Sequence, residues 1–213
     1  MQSVETDRYV ILVLLQGTWC FLHSAMISLS FTRYLKRRLG ASFRFYRLFY
    51  NVFAVLTSIP VLWFAWTIRT APLFDWHGYW RVVQAALLGT AAVLFYSGAR
   101  HYSASRFVGL RQIREGVSGI LLSEKGDLDT SGILGVVRHP WYLGAIPLVW
   151  ARPLDVSAIV MNVVFTVYLV AGCYIEEKKL LIEFGDGYRE YQKRVSMLIP
   201  IKWLTTRPVN RGN

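Results

Sequence analysis

Five apolar runs divide the chain, separated by basic or turn-forming stretches. They are Tyr9 to about Leu29, Leu48 to Ile68 with Pro60 inside, Tyr79 to about Ser97, Ile133 to Trp150, and Val156 to Ile175. A run of about 20 apolar residues is long enough to cross a bilayer as a helix. The fourth run is interrupted by Arg138-His139, Pro140 and Pro147. Only Arg152 to Asp155 join the fourth and fifth runs, which predicts a tight antiparallel helical hairpin. After the fifth run, Glu176 to Val195 keeps helical spacing, with Leu180, Leu181 and Phe184 on one side. Gly185-Asp186-Gly187 predicts a break there. The pattern is that of an all-α polytopic membrane protein with about five transmembrane helices and a cytoplasmic helical tail. One domain, 1–213, accounts for the length.

Charge adds a direction. Arg33, Lys36, Arg37, Arg38, Arg44 and Arg47 lie between runs one and two. Arg100, Arg106, Arg111, Arg114, Lys125 and Arg138 lie between three and four, and Lys178, Lys179, Arg189, Lys193, Arg194, Lys202, Arg207 and Arg211 follow run five. The opposite side has only Arg8, Arg69, Arg81 and Arg152. Cytoplasmic loops carry the basic excess, so the N-terminus is expected outside and the C-terminus in the cytoplasm. Trp63, Trp66, Trp76, Trp80 and Trp150 fall near run ends, as an interfacial belt requires. With 54% hydrophobic and 17% charged residues, the composition is short of the roughly 25% charge of soluble domains. The net charge of +11 is clustered between apolar runs, which fits anionic lipid headgroups and not a nucleic-acid-reading face. Cys20 and Cys173 sit inside apolar runs, and no Cys/His spacing suggests a metal. Glu5 and Asp7 flank Arg8, so the first run is expected to be a retained span and not a cleaved signal. Scattered glycines form no small-xxx-small face, so the sequence sets no oligomeric state.

The chemistry-bearing residues gather between Gly132 and Tyr191. A residue before proline avoids the helical region, so His139 is expected extended, with a helix starting at Pro140. From Pro140 to Arg152 that helix covers roughly 20 Å, less than a full crossing. A helix start sunk at the membrane boundary favours an anionic group such as a carboxylate, and Gly144 would admit a close neighbour. The plainer alternative is a proline-initiated membrane helix with Arg138 and His139 snorkelling to the surface. Glu176 and Glu177 point about 100° apart on a helix, so one could face a site while the other meets water or a lysine. Here too a solvated helix continuation is the plainer alternative. Together, a helix start for a carboxylate and an acid for an ammonium suit an α-amino acid end. His23, inside run one, reads either as an interhelical hydrogen-bond partner or as a substrate contact.

Arg138-His139-Pro140-x-Tyr142-x-Gly144, Glu176-Glu177, and Phe184-Gly185-x-x-Tyr188-x-x-Tyr191 ending near Ile199-Pro200 resemble the isoprenylcysteine carboxyl methyltransferase and phospholipid methyltransferase superfamily. His23-Ser24, the run Phe43 to Asn51, and Phe107-x-Gly109-Leu110-Arg111-Gln112 are similar to its methanethiol S-methyltransferase and NnrU-like branch. The resemblance implies an integral membrane enzyme using S-adenosylmethionine, housed in a multi-pass protein of a bacterial inner membrane. Segments within 1–99 would serve the methyl acceptor and 100–204 the cofactor. It implies cofactor contacts at Gln112, Leu128, Asp129, Thr130, Leu134, His139, Pro140, Trp141, Tyr142, Gly144, Glu176 and Glu177, with Glu176 as the main acidic position. Arg138 and His139 are the candidates for assisting chemistry, and Gly172 and Tyr188 join His23 on the substrate side. Tyr188 and Tyr191 either close over the cofactor or serve interfacial packing.

One departure narrows the acceptor. Members acting on prenylcysteine carry an arginine four residues before the first glutamate, and here that position is Gly172. This favours a thiol, amine or lipid acceptor, small or lipophilic, over a prenylcysteine carboxylate. Isoprenylcysteine O-methylation and phospholipid N-methylation stay as alternatives within the superfamily. Sterol-type membrane reductases, which use NADPH, share the Arg-His-Pro-x-Tyr-x-Gly pattern. A non-enzymatic NnrU-like accessory protein is the remaining alternative. The partners expected are the lipid bilayer and the methyl acceptor, with no nucleic acid.

Overall fold

The computed structural model describes residues 2–101, 104–116 and 128–205, which are helical with no strand among them. Lys125, Arg207, Arg211 and the stretch 123–127 of the polar loop lie outside the described residues. The helices are α1 (Gln2–Met26), α2 (Leu29–Leu39), α3 (Tyr46–Thr67), α4 (Trp80–Ala99), α5 (Ala104–Val108), α6 (Leu110–Glu115), α7 (Pro140–Trp150), α8 (Val156–Arg194) and α9 (Ile201–Thr205). Among the described residues, Thr6–Met26, Leu29–Thr67, Trp80–Ala99 and Val156–Arg194 are long and apolar enough to cross a membrane. The protein is a multi-pass membrane protein. Val55, Leu62, Trp63 and Trp66 on α3 are each more than half exposed, as lipid-facing side chains are.

Two elements differ from the sequence expectation. The basic stretch after α1 is a helix, α2, because Phe31, Leu35 and Leu39 line one face at four-residue spacing. Its Ser28 cap accepts from the Phe31 N–H at 3.3 Å. The fourth run yields a 3-10 turn at Gly132–Gly135, a non-helical step, and then α7 of 11 residues. At 1.5 Å per residue α7 is about 17 Å long, too short to cross alone. The stretch after the fifth run is helical, as its spacing predicts, and continues α8 to Arg194. Gly185, at φ 56° and ψ −129°, breaks its helical path where the glycines predicted a break.

The chain divides into two compact units. The first comprises Met1–Arg81, Ser103–Leu122 and Arg152–Tyr168. Leu12, Val61, Ala65 and Ile68 form its core, with Tyr9, Phe64, Val160 and Met161 packed on it. Trp19 Nε1 donates to the Ala54 carbonyl at 3.1 Å, and Gln16 Nε2 to that of Met161 at 3.0 Å. Asn51 Nδ2 donates to the Phe107 and Val108 carbonyls, holding α5 to α3. Asp155 caps α8, accepting from Ala158 N–H at 2.7 Å and Ser157 Oγ at 2.9 Å.

The second unit comprises Val82–Tyr102, Ser123–Ala151 and Leu169–Asn213. Within it α7 lies close on α4. A Cβ at Gly144 would stand 3.2 Å from the Leu94 Cβ, which is why glycine occupies that position. Trp141 Nε1 donates to the Phe95 carbonyl at 3.2 Å, and Gln84 Nε2 satisfies the Ala151 carbonyl at the end of α7 at 2.8 Å. Tyr188, Tyr191 and Val195 form a buried cluster with Leu128, Leu180, Leu181 and Phe184.

Candidate active site

His139 precedes α7 at φ −123° and ψ 68°, non-helical as a pre-proline residue should be, with Pro140 in the first turn. Its side chain does not cap the helix it introduces. It turns instead to α8, where Nε2 lies 3.0 Å from Glu177 Oε1. Arg138 reaches the same carboxylate with both faces of its fork: Nε to Oε1 at 2.7 Å and Nη2 to Oε2 at 2.8 Å. Its Nη1 donates to the Gln192 carbonyl at 3.3 Å and also to that of Val195. Tyr188 Oη donates to Oε1 at 2.8 Å and Gln192 Nε2 to Oε2 at 2.5 Å. The Glu177 carboxylate thus accepts five hydrogen bonds. Two carboxylate oxygens offer about four lone-pair sites, so this one is saturated by its own chain. Arg138, His139 and Glu177 are all buried.

The backbone repeats the tie. Arg138 N–H donates to the Ser196 carbonyl at 3.0 Å and His139 N–H to that of Met197 at 3.2 Å. Tyr191 Oη donates to the Leu134 carbonyl at 2.5 Å. Residues 134–139 are therefore clamped by the end of α8 and the chain after it.

Glu176 differs from its neighbour. Its side chain is one-third exposed and its Oε2 stands 3.9 Å from His139 Nδ1, beyond hydrogen-bond range. Because Nε2 must carry the proton it gives to Glu177, Nδ1 is the nitrogen turned toward Glu176. The two adjacent acids have separated roles: one holds the site together and the other faces outward.

The remaining expected residues fall as follows. Leu128 packs on the Tyr188 cluster and Leu134 is buried. Asp129 accepts from Ser131 N–H and Oγ at 2.9 and 2.7 Å, and its Oδ2 lies 2.8 Å from His101 Nδ1. Burial opposes its charge, but the Ser131 and His101 contacts outweigh this and hold the carboxyl below its ordinary value. Thr130 is exposed, with its carbonyl beside Gly135. Tyr142 meets His139 edge-on at 5.5 Å. The space beside Gly172 is not open: a Cβ there would come within 3.1 Å of Tyr142 Cε1, so the tyrosine ring fills the place where prenylcysteine enzymes carry arginine. Gln112 is buried on α6, in the first unit. His23 also lies in the first unit, with Nδ1 2.6 Å from Tyr168 Oη and Nε2 against Tyr50 Oη. Sequence reasoning missed Gln192, His101, Tyr50 and Tyr168. No local pattern marks them, since each is recruited by a partner 15 or more residues away.

A methanethiol S-methyltransferase of Mycobacterium tuberculosis is 29% identical over 199 residues, covering 90% of this chain and 78% of that protein. Methanethiol S-methyltransferase 1 of Bradyrhizobium diazoefficiens is 30% identical over 206 residues, covering 91% of this chain and 67% of its own. The chain belongs to the methanethiol S-methyltransferase family. A more distant relative, the protein-S-isoprenylcysteine O-methyltransferase of Schizosaccharomyces pombe, is 30% identical over 121 residues, covering 53% of this chain and 49% of its own. No family model matches the chain, and no solved structure does. Membership makes this an integral membrane methyltransferase. The reductase and non-enzymatic readings give way to it, since the curated relatives are methyltransferases.

Proposed function

We propose that the protein transfers the methyl group of S-adenosylmethionine to a small lipophilic thiol at the cytoplasmic face of a bacterial inner membrane. The observation that carries the cofactor half is the division of labour between Glu176 and Glu177. An α-amino acid end needs one anionic and one cationic partner, and the second unit supplies both. Glu176 is the acid left facing outward. The N-terminal end of α7, which the His139 side chain does not cap, carries the positive end of the helix dipole. These groups fit the cofactor's charge pattern.

When bound, the cofactor supplies a methyl already activated on a sulfonium, which an in-line displacement moves without a covalent enzyme intermediate. The chain's own residues bind, orient and exclude water, and such positioning contributes about 7–11 kcal/mol in well-aligned reactions. Glu176 holds the ammonium and the start of α7 the carboxylate. Glu177 positions both, through Arg138 and His139 on one side and Tyr188 and Gln192 on the other. Arg138 spends its donors on Glu177 and on two carbonyls, which makes it a positioning residue and not a proton carrier. The basic residues of α2 and of the chain after α8 support a cytoplasmic placement of this end.

The thiol half rests on the family and on Gly172. Carboxylate methylation of prenylcysteine is disfavoured because Tyr142 takes the space of the missing arginine. The purified protein should bind S-adenosylmethionine in calorimetry, and Glu176→Gln should weaken that binding at least about tenfold, the loss of roughly one charge-assisted contact. Absence of binding by the wild type, or equal binding by the variant, sinks the cofactor site.

A further inference from the structure

The first unit contains a second polar cluster, wholly within segments that read as lipid-buried. His23 on α1 is bracketed by two phenols: Tyr168 Oη at 2.6 Å from Nδ1 and Tyr50 Oη against Nε2. Ser24 Oγ donates to Tyr168 Oη at 3.3 Å. Trp19 stacks on the imidazole at 5.0 Å. Polar groups inside membrane-spanning helices are costly unless paired, and they mark functional positions.

Counting hydrogens shows an imbalance. With a neutral imidazole, Ser24, Tyr50, Tyr168 and His23 carry one polar hydrogen each, and three contacts join the four groups. One phenol hydrogen is left over and calls for an acceptor from outside the cluster. The same cluster accommodates one more proton. An imidazolium donates from both nitrogens to the two phenol oxygens, and both phenol hydrogens then turn outward. The arrangement is thus matched to a ligand that gives up a proton and keeps the electron pair.

An apolar cavity of about 280 Å³ lies one helical turn along the same two helices, lined by Met26, Phe31, Leu35, Phe45, Tyr46 and Phe49. Met26 follows His23 by three residues and Tyr46 precedes Tyr50 by four, and Tyr46 Oη donates to the Met26 carbonyl at 2.7 Å. Phe31, Phe45 and Phe49 are exposed, so the cavity opens toward the lipid-facing surface. It has room for a short alkyl chain and no charge to bind a carboxylate or a phosphate.

We infer that His23, Tyr50 and Tyr168 form the acceptor subsite of the first unit, which takes a small alkyl thiol and removes its proton. This rests on the thiol reading above. The S–H bond breaks as its proton passes to Tyr50 Oη, while the proton of Tyr50 moves to His23 Nε2. The electron pair stays on sulfur, and a phenol O–H donates to the thiolate. Thiolate is the nucleophilic form of a thiol. The proton on His23 returns to solvent once the product leaves.

The test uses the full chain in lipid nanodiscs, with ethanethiol as acceptor and methyl-labelled S-adenosylmethionine. Tyr50→Phe and His23→Gln should lower kcat/KM for ethanethiol by about tenfold or more at neutral pH, with cofactor binding by calorimetry unchanged. The deficit should shrink as pH rises and the thiol ionises unaided. Without cofactor, calorimetric binding of ethanethiol should weaken in Tyr50→Phe. Should Tyr50→Phe fail to fold, Tyr168→Phe carries the same comparison. Wild-type kcat/KM in these variants, or a deficit equal at every pH, overturns the subsite while leaving the thiol reading intact. A wild type that binds cofactor but methylates no thiol overturns both.

Discussion

The two polar centres of this protein are built on opposite principles. Around Glu177 a charged acid meets five donors and nothing is left over. Around His23 four neutral groups share three contacts, and one hydrogen remains. A saturated centre fixes geometry and resists change, whereas an unsaturated one is ready to exchange a proton or a ligand. On the proposed reading, the difference separates the group that shapes the cofactor end from the groups that meet the acceptor.

The sharpest way to break this contrast is Glu177→Ala. It leaves Arg138 buried without its counter-charge, and removing one partner of a buried pair costs about 3–5 kcal/mol. The expected outcome is loss of most folded protein in detergent, read by size exclusion and thermal unfolding, and not a folded enzyme with poor kinetics. Glu176→Gln should show the reverse: a thermal midpoint close to wild type with weak cofactor binding. If the two substitutions behave alike, the division between the acids is wrong. Gly172→Arg should reduce thiol turnover by crowding Tyr142, whose ring already occupies the added side chain's path, without creating activity on a prenylcysteine. Gly172→Ala should cost about 1–3 kcal/mol of stability, as overpacking does. Tyr168→Phe should lower stability by about 1–3 kcal/mol, the net worth of its two hydrogen bonds, while its kinetic effect is larger. The smallest effect concerns Asp129. Its carboxyl titrates below its unfolded value of about 3.9, so its contribution is present above that pH and is lost as pH falls through the lower folded value. Asp129→Asn should flatten the acid limb of the stability profile, lowering stability slightly at neutral pH and leaving it little changed in acid below the folded value.

Much of this was legible in the residues because some rules are local. Pro140 set the start of α7 and the non-helical His139, and Gly185 set the break in α8. Apolar runs located α1, α3, α4 and the first half of α8. The fate of the basic stretch after α1 was less visible. Its charges suggest a loop, while the apolar face that makes α2 a helix is only three residues deep. Which of Glu176 and Glu177 turns inward could not be read locally either. Adjacent helical positions are equivalent until Tyr188 and Gln192 arrive on the chain beyond the break. The His23 cluster depends on Tyr168, which lies 145 residues away in sequence. At Gly172 the sequence shows a missing side chain and not the neighbour, Tyr142, that fills its place.

The clamp between residues 137–139 and 196–197 also bears on how the protein is made. Synthesis runs from the N-terminus, so Arg138 and His139 are laid down well before Glu177, and Glu177 before Tyr188, Gln192 and Ser196. The cluster around Glu177 therefore cannot take shape piecemeal during insertion. It closes only once residues 188–197 have been made, and a chain halted before Glu177 carries Arg138 without its counter-charge. Residues 188–197 thus act as a late latch on a centre whose first members, Arg138 and His139, were made far earlier.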